Sequence, residues 1–142
     1  MSMTGTALDL ETAIYTRLAT DTSPDVGVST VCAERIYWAD NVPPDQHRPH
    51  VVLTLVNSTL NPTFESDPID GELQVDVWAH KRWGRDFVRT LADRVYSRFH
   101  RERIAVAGFA SLSFLAPNLG DLTAEGNDLR VMLRFRVFAS GA

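Results

Sequence analysis

The segment from Glu72 to Phe99, ELQVDVWAHKRWGRDFVRTLADRVYSRF, constrains the fold most, because the period of its apolar residues changes once along it. Up to Trp78, apolar and polar residues alternate, as they do in a strand with one buried face. From Gly84 onward the apolar residues recur at helical spacing and form one stripe on a helical wheel. The members of this stripe are Val88, Leu91, Ala92, Val95 and Phe99. The segment therefore predicts a strand that leads almost directly into an amphipathic helix.

Five further segments carry patterns that predict a helix or a strand. Leu10, Ile14 and Leu18 recur every four residues and predict an N-terminal helix. This helix is expected to begin at Thr6, a candidate N-cap, and to end near Thr20. Strands are predicted for the runs IYW, HVVLTLVNST, IAVAGFASLSFLA and DLRVMLRFRVFAS. In the last run, apolar residues alternate with residues that include three arginines, so one of its faces is expected to be buried.

The segments between these elements are predicted to be loops, above all NPTFESDPIDG and PNLGDLTAEGND. Val26 to Glu34 is predicted to be a loop or a short turn of helix. The resulting order is helix, short strand, two strands, helix, two strands, which favours an α+β fold. We expect a largely antiparallel mixed sheet of about four to five strands, with two helices packed on one face.

Length and composition fit a single globular domain. No linker, repeat or low-complexity tract divides the 142 residues, so one domain of residues 1–142 is expected. Hydrophobic residues make up 44% of the chain and charged residues 23%, which argues against a disordered chain. No apolar run approaches the ~18 residues that cross a bilayer, and the N-terminus lacks a signal-peptide pattern. No membrane partner is therefore expected.

Charge is divided unevenly along the chain, whose formal net charge is −4. Lys81 to Arg103 contains eight basic and three acidic residues and carries +5, so the other residues, six basic and 15 acidic, carry −9. Asn57 to Glu72 contains acidic residues but neither Lys nor Arg. The candidate subunit-interface residues are Arg82, Arg85 and Arg89 in the basic segment and Glu65, Asp67, Asp70 and Glu72 in the acidic one.

Two interpretations of these charges stay open from the sequence. Arginine suits planar, bidentate ion pairs at interfaces, which favours contacts between subunits. A solvated polar face of the helix explains the same pattern, and an arginine-rich source genome would give a chain with only one Lys. The net negative charge argues against a protein that coats nucleic acid.

No residue pattern in the chain indicates catalysis, so no catalytic residue, cofactor site or metal site is predicted. His47 and His50 have H-x-x-H spacing, but no second Cys/His pair accompanies them and Pro49 opposes a regular helix. Asp76, on the half-exposed face of its strand, is expected to pair with an outward Arg of the last strand. The single Cys32 is expected to be a small buried hydrophobe. The chain is therefore expected not to be an enzyme.

The order of elements and three short sequence signals resemble those of a known family. The signals are Arg35-Ile36-Tyr37, Pro49-His50-Val51-Val52 and Val75-Asp76-Val77-Trp78-Ala79, the last followed directly by the basic helix. In these features the chain resembles the tail-completion, or tail-terminator, proteins of long-tailed (siphovirus-like) phages and phage-derived particles. The resemblance covers roughly Leu8 to Phe99 and the closing LRVMLRFRVFA strand.

The resemblance implies a structural virion protein with no catalysis and no cofactor. It implies a ring, usually a hexamer, that caps the head-proximal end of the tail tube and ends tube polymerisation. The ring would also offer a docking surface to the head–tail connector or stopper protein. Its partners would be further copies of the chain, the tail tube protein and the connector, with DNA passing through the lumen without specific binding. The protein would be made in the host cytoplasm and would lie in the neck of the virion.

Two alternative functions belong to other classes. A different neck protein, such as a connector adaptor or stopper, would also form rings. A small-ligand-binding or enzymatic α+β domain would instead be a monomer with a deep apolar pocket.

The segment from Asn57 to Gly71 is predicted to be a loop that reaches outside its own domain, because it is long, contains two prolines and lacks periodicity. We expect the acids of this loop to lie near the channel of a ring.

Overall fold

The structure is a computed structural model that describes residues 7–56, 69–104, 112–115 and 120–139. Within these ranges the α-helices are Ala7–Ala19 (α1), Val28–Cys32 (α2) and Arg85–Phe99 (α3). The strands are Ile36–Trp38 (β1), His50–Val56 (β2), Ile69–His80 (β3), Arg103–Ile104 (β4), Leu112–Leu115 (β5), Leu122–Glu125 (β6) and Asp128–Ala139 (β7). Short 3-10 turns follow β1 at Ala39–Asn41 and β3 at Lys81–Trp83.

The sheet is built around β3 and β7, two 12-residue strands that pair antiparallel along their whole length. The strand order is β1-β2-β3-β7-β5-β4. On the edge of β7 away from β3, β6 pairs with its first residues and β5 with its last ones. Among the described strands only β1 and β2 pair in parallel. The predicted α+β class with a largely antiparallel mixed sheet is therefore confirmed.

The hydrophobic core lies between the helices and the sheet. α1 contacts β1, whereas α3 contacts β7 and β3. The predicted stripe of α3 is buried along its whole length, and so is the predicted inner face of the last strand. The ring of Phe99 lies 5.0 Å from that of Phe114 and 5.4 Å from that of Phe135, between centroids. These aromatic contacts fix the C-terminal end of α3 on the sheet.

Several other predicted elements are confirmed. α1 buries Leu10, Ile14 and Leu18 and ends at Ala19, although the predicted N-cap Thr6 lies outside the described residues. The ambiguous segment from Val26 to Glu34 contains the short helix α2. β1 falls where it was predicted, and β2 covers His50–Val56 of its predicted run, whose last three residues lie outside the described ranges. In the ranges that the structure covers, none of the helices has the length and apolar character needed to cross a bilayer.

The expected count of four to five strands is too low, because the described residues form seven and β6 lies in a segment predicted to be a loop. β6 joins β7 through a two-residue turn at Gly126 and Asn127, since Glu125 pairs with Asp128. Gly126 has a φ of 61°, the left-handed conformation that the first loop residue of a type II′ hairpin requires. The Gly-Asn dipeptide was the sequence signal for this hairpin.

The run IAVAGFASLSFLA, predicted to be one strand, contains parts of two. β4 ends at Ile104, and β5, which begins at Leu112, runs antiparallel to it. In this arrangement β5 pairs with β7 on one edge and with β4 on the other. Backbone groups of β5 are thus bonded on both sides, which a single strand paired only with β7 would not achieve.

The predicted loop from Asn57 to Gly71 is wrong at its C-terminal end. β3 begins at Ile69, so Asp70 belongs to the sheet rather than to the loop. The first three residues of β3 pair with the last three of β7. This pairing gives their backbone groups partners that a loop would have to find in solvent. Residues 57–68 lie outside the described ranges.

Candidate functional site

The polar face of α3 has two flanks, and the flank towards α1 and α2 is bound within the subunit. Arg94 donates to the two carboxylate oxygens of Asp21 at 2.8 Å and 2.6 Å. Asp21 is 3% exposed and also accepts from the backbone N–H of Val28, at the start of α2, at 3.0 Å. The hydrogen bond from Arg94, more than that from Val28, lowers the pKa of Asp21 from 3.8 to about 2. Arg94 therefore has a structural role within the subunit.

Arg98, on the same flank, joins α3 to α1. Its guanidinium donates to the backbone carbonyl of Arg17 at 3.2 Å, and the guanidinium of Arg17 donates to the carbonyl of Arg98 at 2.8 Å. Both carbonyls lie in the last turn of their helices, where no following backbone N–H of the helix can donate to them. Each arginine thus caps the other helix, a stabilising position for a cation.

The opposite flank carries the three basic interface candidates. Arg82, Arg85 and Arg89 are all exposed. Arg89 donates to the backbone carbonyl of Gly120 at 3.3 Å, on the side of the sheet where β6 lies. Within the part of the chain that the structure describes, none of the three forms an ion pair. Exposed guanidiniums of this kind are chemically suited to pair with carboxylates.

Residues Lys81 to Arg85, which we term the basic turn, connect β3 to α3 in a fixed conformation. The backbone N–H of Lys81 donates to the carbonyl of Asn127 at 2.8 Å, which ties the turn to the β6–β7 hairpin. Trp83 is 44% exposed, and the centroid of its ring lies 4.9 Å from that of Phe87. The basic turn therefore presents an exposed indole among three cationic side chains.

The acidic interface candidates belong to the other end of β3. Asp70 and Glu72 are among its first four residues, although the side chain of Asp70 is not described. Glu65 and Asp67 lie outside the described residues. β3 has 12 residues, so at ~3.3 Å per residue its two ends are about 36 Å apart. The structure therefore does not bring the basic turn and Glu72 together within one subunit.

The predicted pair between Asp76 and an outward Arg of the last strand is confirmed. Arg130 of β7 donates to the Asp76 carboxylate at 2.9 Å, and its guanidinium lies 5.2 Å from the centre of the Trp78 ring. Asp76 is 6% exposed, so it is more buried than the expected half-exposed position. The amide of Gln74 donates to the same carboxylate at 3.1 Å. These partners give Asp76 a structural role in the sheet.

A cavity of about 450 Å³ lies on this outer face of the sheet and includes His47 and His50 in its lining. His47 contacts Asp128 at 3.2 Å, and burial lowers the pKa of His50. In the described ranges no group of three His, Cys, Asp or Glu side chains is placed to hold a metal ion. Cys32 is buried as predicted, and burial raises the pKa of its thiol to about 12, which keeps it protonated and unreactive.

The chain matches the family described as "Tail completion protein gp17" over residues 12–140 and therefore belongs to that family. Membership places it among the structural proteins of phage tails. The match confirms the resemblance seen in the sequence. It also extends through the segment between α3 and β7, which that resemblance did not cover.

Two solved structures share the fold over almost their whole length. One is a chain from the "Virion of native gene transfer agent (GTA) particle", with a TM-score of 0.69 and 19% identity over 97% of this chain and 99% of that one. A second chain, of no stated function, has a TM-score of 0.63 and 14% identity over 97% of this chain and 98% of that one. At these identities the matches establish the fold. A comparison with curated proteins gives no match.

The sequence did not show which flank of α3 is bound within the subunit, and it did not single out Trp83. The partner of Arg94 is Asp21, 73 residues away in the sequence, so helical periodicity alone gave no sign of the pair. For Trp83 a signal was present, since it stands between basic residues in the run HKRWGR next to a glycine. An aromatic residue among cations in a turn is typical of contact surfaces.

Proposed function

We propose that the chain forms a ring, of six subunits, that caps the head-proximal end of a tail tube. The ring ends tube polymerisation and presents the surface on which the head–tail connector or stopper docks. Its partners are further copies of itself, the tail tube protein and the connector, and DNA passes through its lumen without specific binding. The subunit acts without catalysis and without a cofactor. Membership of the tail-completion family across residues 12–140 carries the proposal.

The placement of charge within the subunit supports assembly into a ring. In a ring each subunit uses two different patches, one towards each neighbour. The basic turn and Glu72 lie at opposite ends of β3, so the basic patch of one copy can face the acidic patch of the next. Complementary charge also sets the register and speeds encounter. The candidates for this contact are Arg82, Arg85 and Arg89 on one side and Glu65, Asp67, Asp70 and Glu72 on the other.

The occurrence of a structurally similar chain in a virion supports the proposal that this protein lies in the neck of a virion. A chain with the same fold belongs to the virion of a gene transfer agent particle. We infer that this protein, made in the host cytoplasm, likewise ends in an assembled particle.

The acidic segment between β2 and β3 is proposed to reach towards the channel. It leaves the sheet at Val56 and returns at Ile69, at the acidic end of the subunit. Fixed anions at the channel would repel phosphate and prevent the close backbone contacts that Lys and Arg make with DNA. DNA could then slide through the ring without being held.

Tube length tests the capping function. Tail tube protein is polymerised alone and with the purified chain, and tube lengths are measured by electron microscopy. We expect shorter tubes when the chain is present, because a capped end no longer adds subunits. Unchanged tube length together with binding to the connector would instead support a connector adaptor or stopper. A chain that affects neither tube nor connector would overturn the proposal.

A further inference from the structure

We propose, on the basis of the ring described above, that Trp83 anchors the contact between subunits. Its indole enters a cleft at the open edge of β2 in a second copy of the chain. Around it, Arg82 and Arg85 meet the acids at the rim of that cleft, Glu11 and Asp40. The contact is head-to-tail, so each subunit contributes a basic turn to one neighbour and a cleft to the other.

The basic turn has the composition and rigidity of an interface anchor. Among the described residues, the large hydrophobic side chains that are most exposed are Val26 at 46%, Trp83 at 44% and Leu115 at 40%. Of these, Trp83 is the one that lies within a run of cations, and Trp and Arg dominate interface hot spots. One hydrogen bond to the β6–β7 hairpin, from Lys81 to Asn127, and one within the turn, from Gly84 to Lys81, already hold the backbone of the turn, so docking orders few additional groups.

The cleft lies where β1 stops covering the edge of β2. Their pairing ends at Trp38 and Leu53, and beyond Leu53 no described strand pairs with that edge of β2. A cleft of about 450 Å³ opens there. It is lined by Glu11, Trp38, Ala39, Asp40, Asn41, Leu53, Thr54 and Leu55. The cleft thus combines apolar walls with two carboxylates, and it adjoins strand-edge groups that lack partners among the described residues.

Charge and position make a second copy the fitting occupant. Glu11 and Asp40 flank the cleft, and Glu72 pairs with Val56 at the end of the same strand. An acidic rim attracts the cations that surround Trp83 and repels another acidic surface. Leu55, in the cleft, pairs with Leu73 of β3, which lies about 23 Å along the strand from His80, the residue before the basic turn. Trp83 therefore cannot fill the cleft of its own subunit.

Cross-linking between introduced cysteines tests the contact directly. The variant A39C/R82C places one thiol at the cleft and one in the basic turn while keeping Trp83. The native Cys32 is buried and does not compete. With a short bismaleimide, we expect a ladder of covalent oligomers that ends at the ring. The matched control V26C/R82C, with the second thiol at an exposed site away from the cleft, should give no ladder.

The outcomes separate this inference from the ring itself. Rings that form, free or on tubes, but yield no ladder with A39C/R82C would overturn the docking of Trp83 and leave the ring intact. A chain that stays monomeric even with tubes present would overturn both proposals. A ladder with A39C/R82C and none with the control would support both.

Removal of the indole gives an independent readout. W83A should weaken subunit association by roughly 30-fold or more, as expected for loss of a hot-spot side chain. V26A, which shortens an equally exposed side chain outside the basic turn, should leave association unchanged. Far-UV circular dichroism of both variants should match that of the wild type. W83A rings as stable as wild-type rings would contradict the anchor role.

Discussion

Arg94 of α3 donates hydrogen bonds to both carboxylate oxygens of Asp21, at 2.8 Å and 2.6 Å, and this pair links the three helices. Asp21 lies in the connection between α1 and α2 and also accepts from the first N–H of α2. The carboxylate is almost fully buried, so its charge depends on these partners. The pair also distinguishes Arg94, which holds the subunit together, from the exposed arginines that we propose to contact a neighbour.

Loss of Arg94 is expected to destabilise the subunit strongly. R94A leaves the buried Asp21 carboxylate without its main partner, and breaking a buried ion pair in this way costs about 3–5 kcal/mol. Urea denaturation at neutral pH measures the change in the free energy of unfolding. R85A, the matched control on the exposed flank, should change it by no more than ~0.5 kcal/mol. Equal effects of the two substitutions would contradict the division of α3 into a structural and an exposed flank.

Acid is expected to remove the contribution of Asp21. Its pKa is about 2 in the folded chain against 3.8 as the ordinary value. Because the folded pKa is lowered, the stabilisation is complete above about pH 4 and is lost as the pH falls through about 2. The shift corresponds to roughly 2 kcal/mol of unfolding free energy. D21N should lack this component of the acid-induced loss, whereas an identical pH profile for both proteins would refute the assignment.

Charge reversal of the basic flank is expected to prevent ring closure without unfolding the subunit. An interface charge left buried and unpaired costs roughly 2–5 kcal/mol, and the defect of R85E/R89E recurs at every interface of a ring. The variant should sediment as a monomer with wild-type far-UV circular dichroism, and tails assembled with it should overgrow. R48E/R134E makes the same change in net charge at exposed positions elsewhere and should still form rings. Normal rings from R85E/R89E would mean that these arginines form a solvated face.

The acidic segment is expected to matter for DNA passage as well as for the contact between subunits. If Glu65 and Asp67 face the proposed channel, E65K/D67K brings cations close to the passing phosphates, so DNA release should slow in the particles that assemble. Release of DNA from purified particles measures the effect, with E34K/D93K as a control for net charge at other exposed sites. If E65K/D67K particles release DNA at the wild-type rate, the segment does not face the channel.

Elements whose burial follows local periodicity were predictable from the sequence. The stripe from Val88 to Phe99 and the alternation from Leu129 to Val137 both mark the side chains that the fold buries. In these segments the spacing of apolar residues reveals both the type of element and its buried face, because each element packs one continuous face against the core. The family signals around Tyr37 and Trp78 fall in such elements and could be recognised for the same reason.

Features that depend on distant partners were not predictable in this way. β6 is a four-residue strand with mostly exposed side chains, so its sequence shows no alternation of buried and exposed residues. It is stabilised by its pairing with β7. A helical wheel places Arg85 and Arg94 on different flanks of the polar face, but only the position of Asp21 in the folded chain shows which flank is bound within the subunit. The cleft at β2 exists because β1 is three residues long, a length that the run IYW suggested without revealing the open edge.

Electron microscopy of tail tubes assembled with the purified protein tests the central claim most directly. If the chain is a tail terminator, one end of each tube should carry an additional ring with six-fold averaged density, and capped tubes should not elongate when tube protein is added. Tubes that keep growing at both ends, with the protein remaining monomeric in the same sample, would contradict this account.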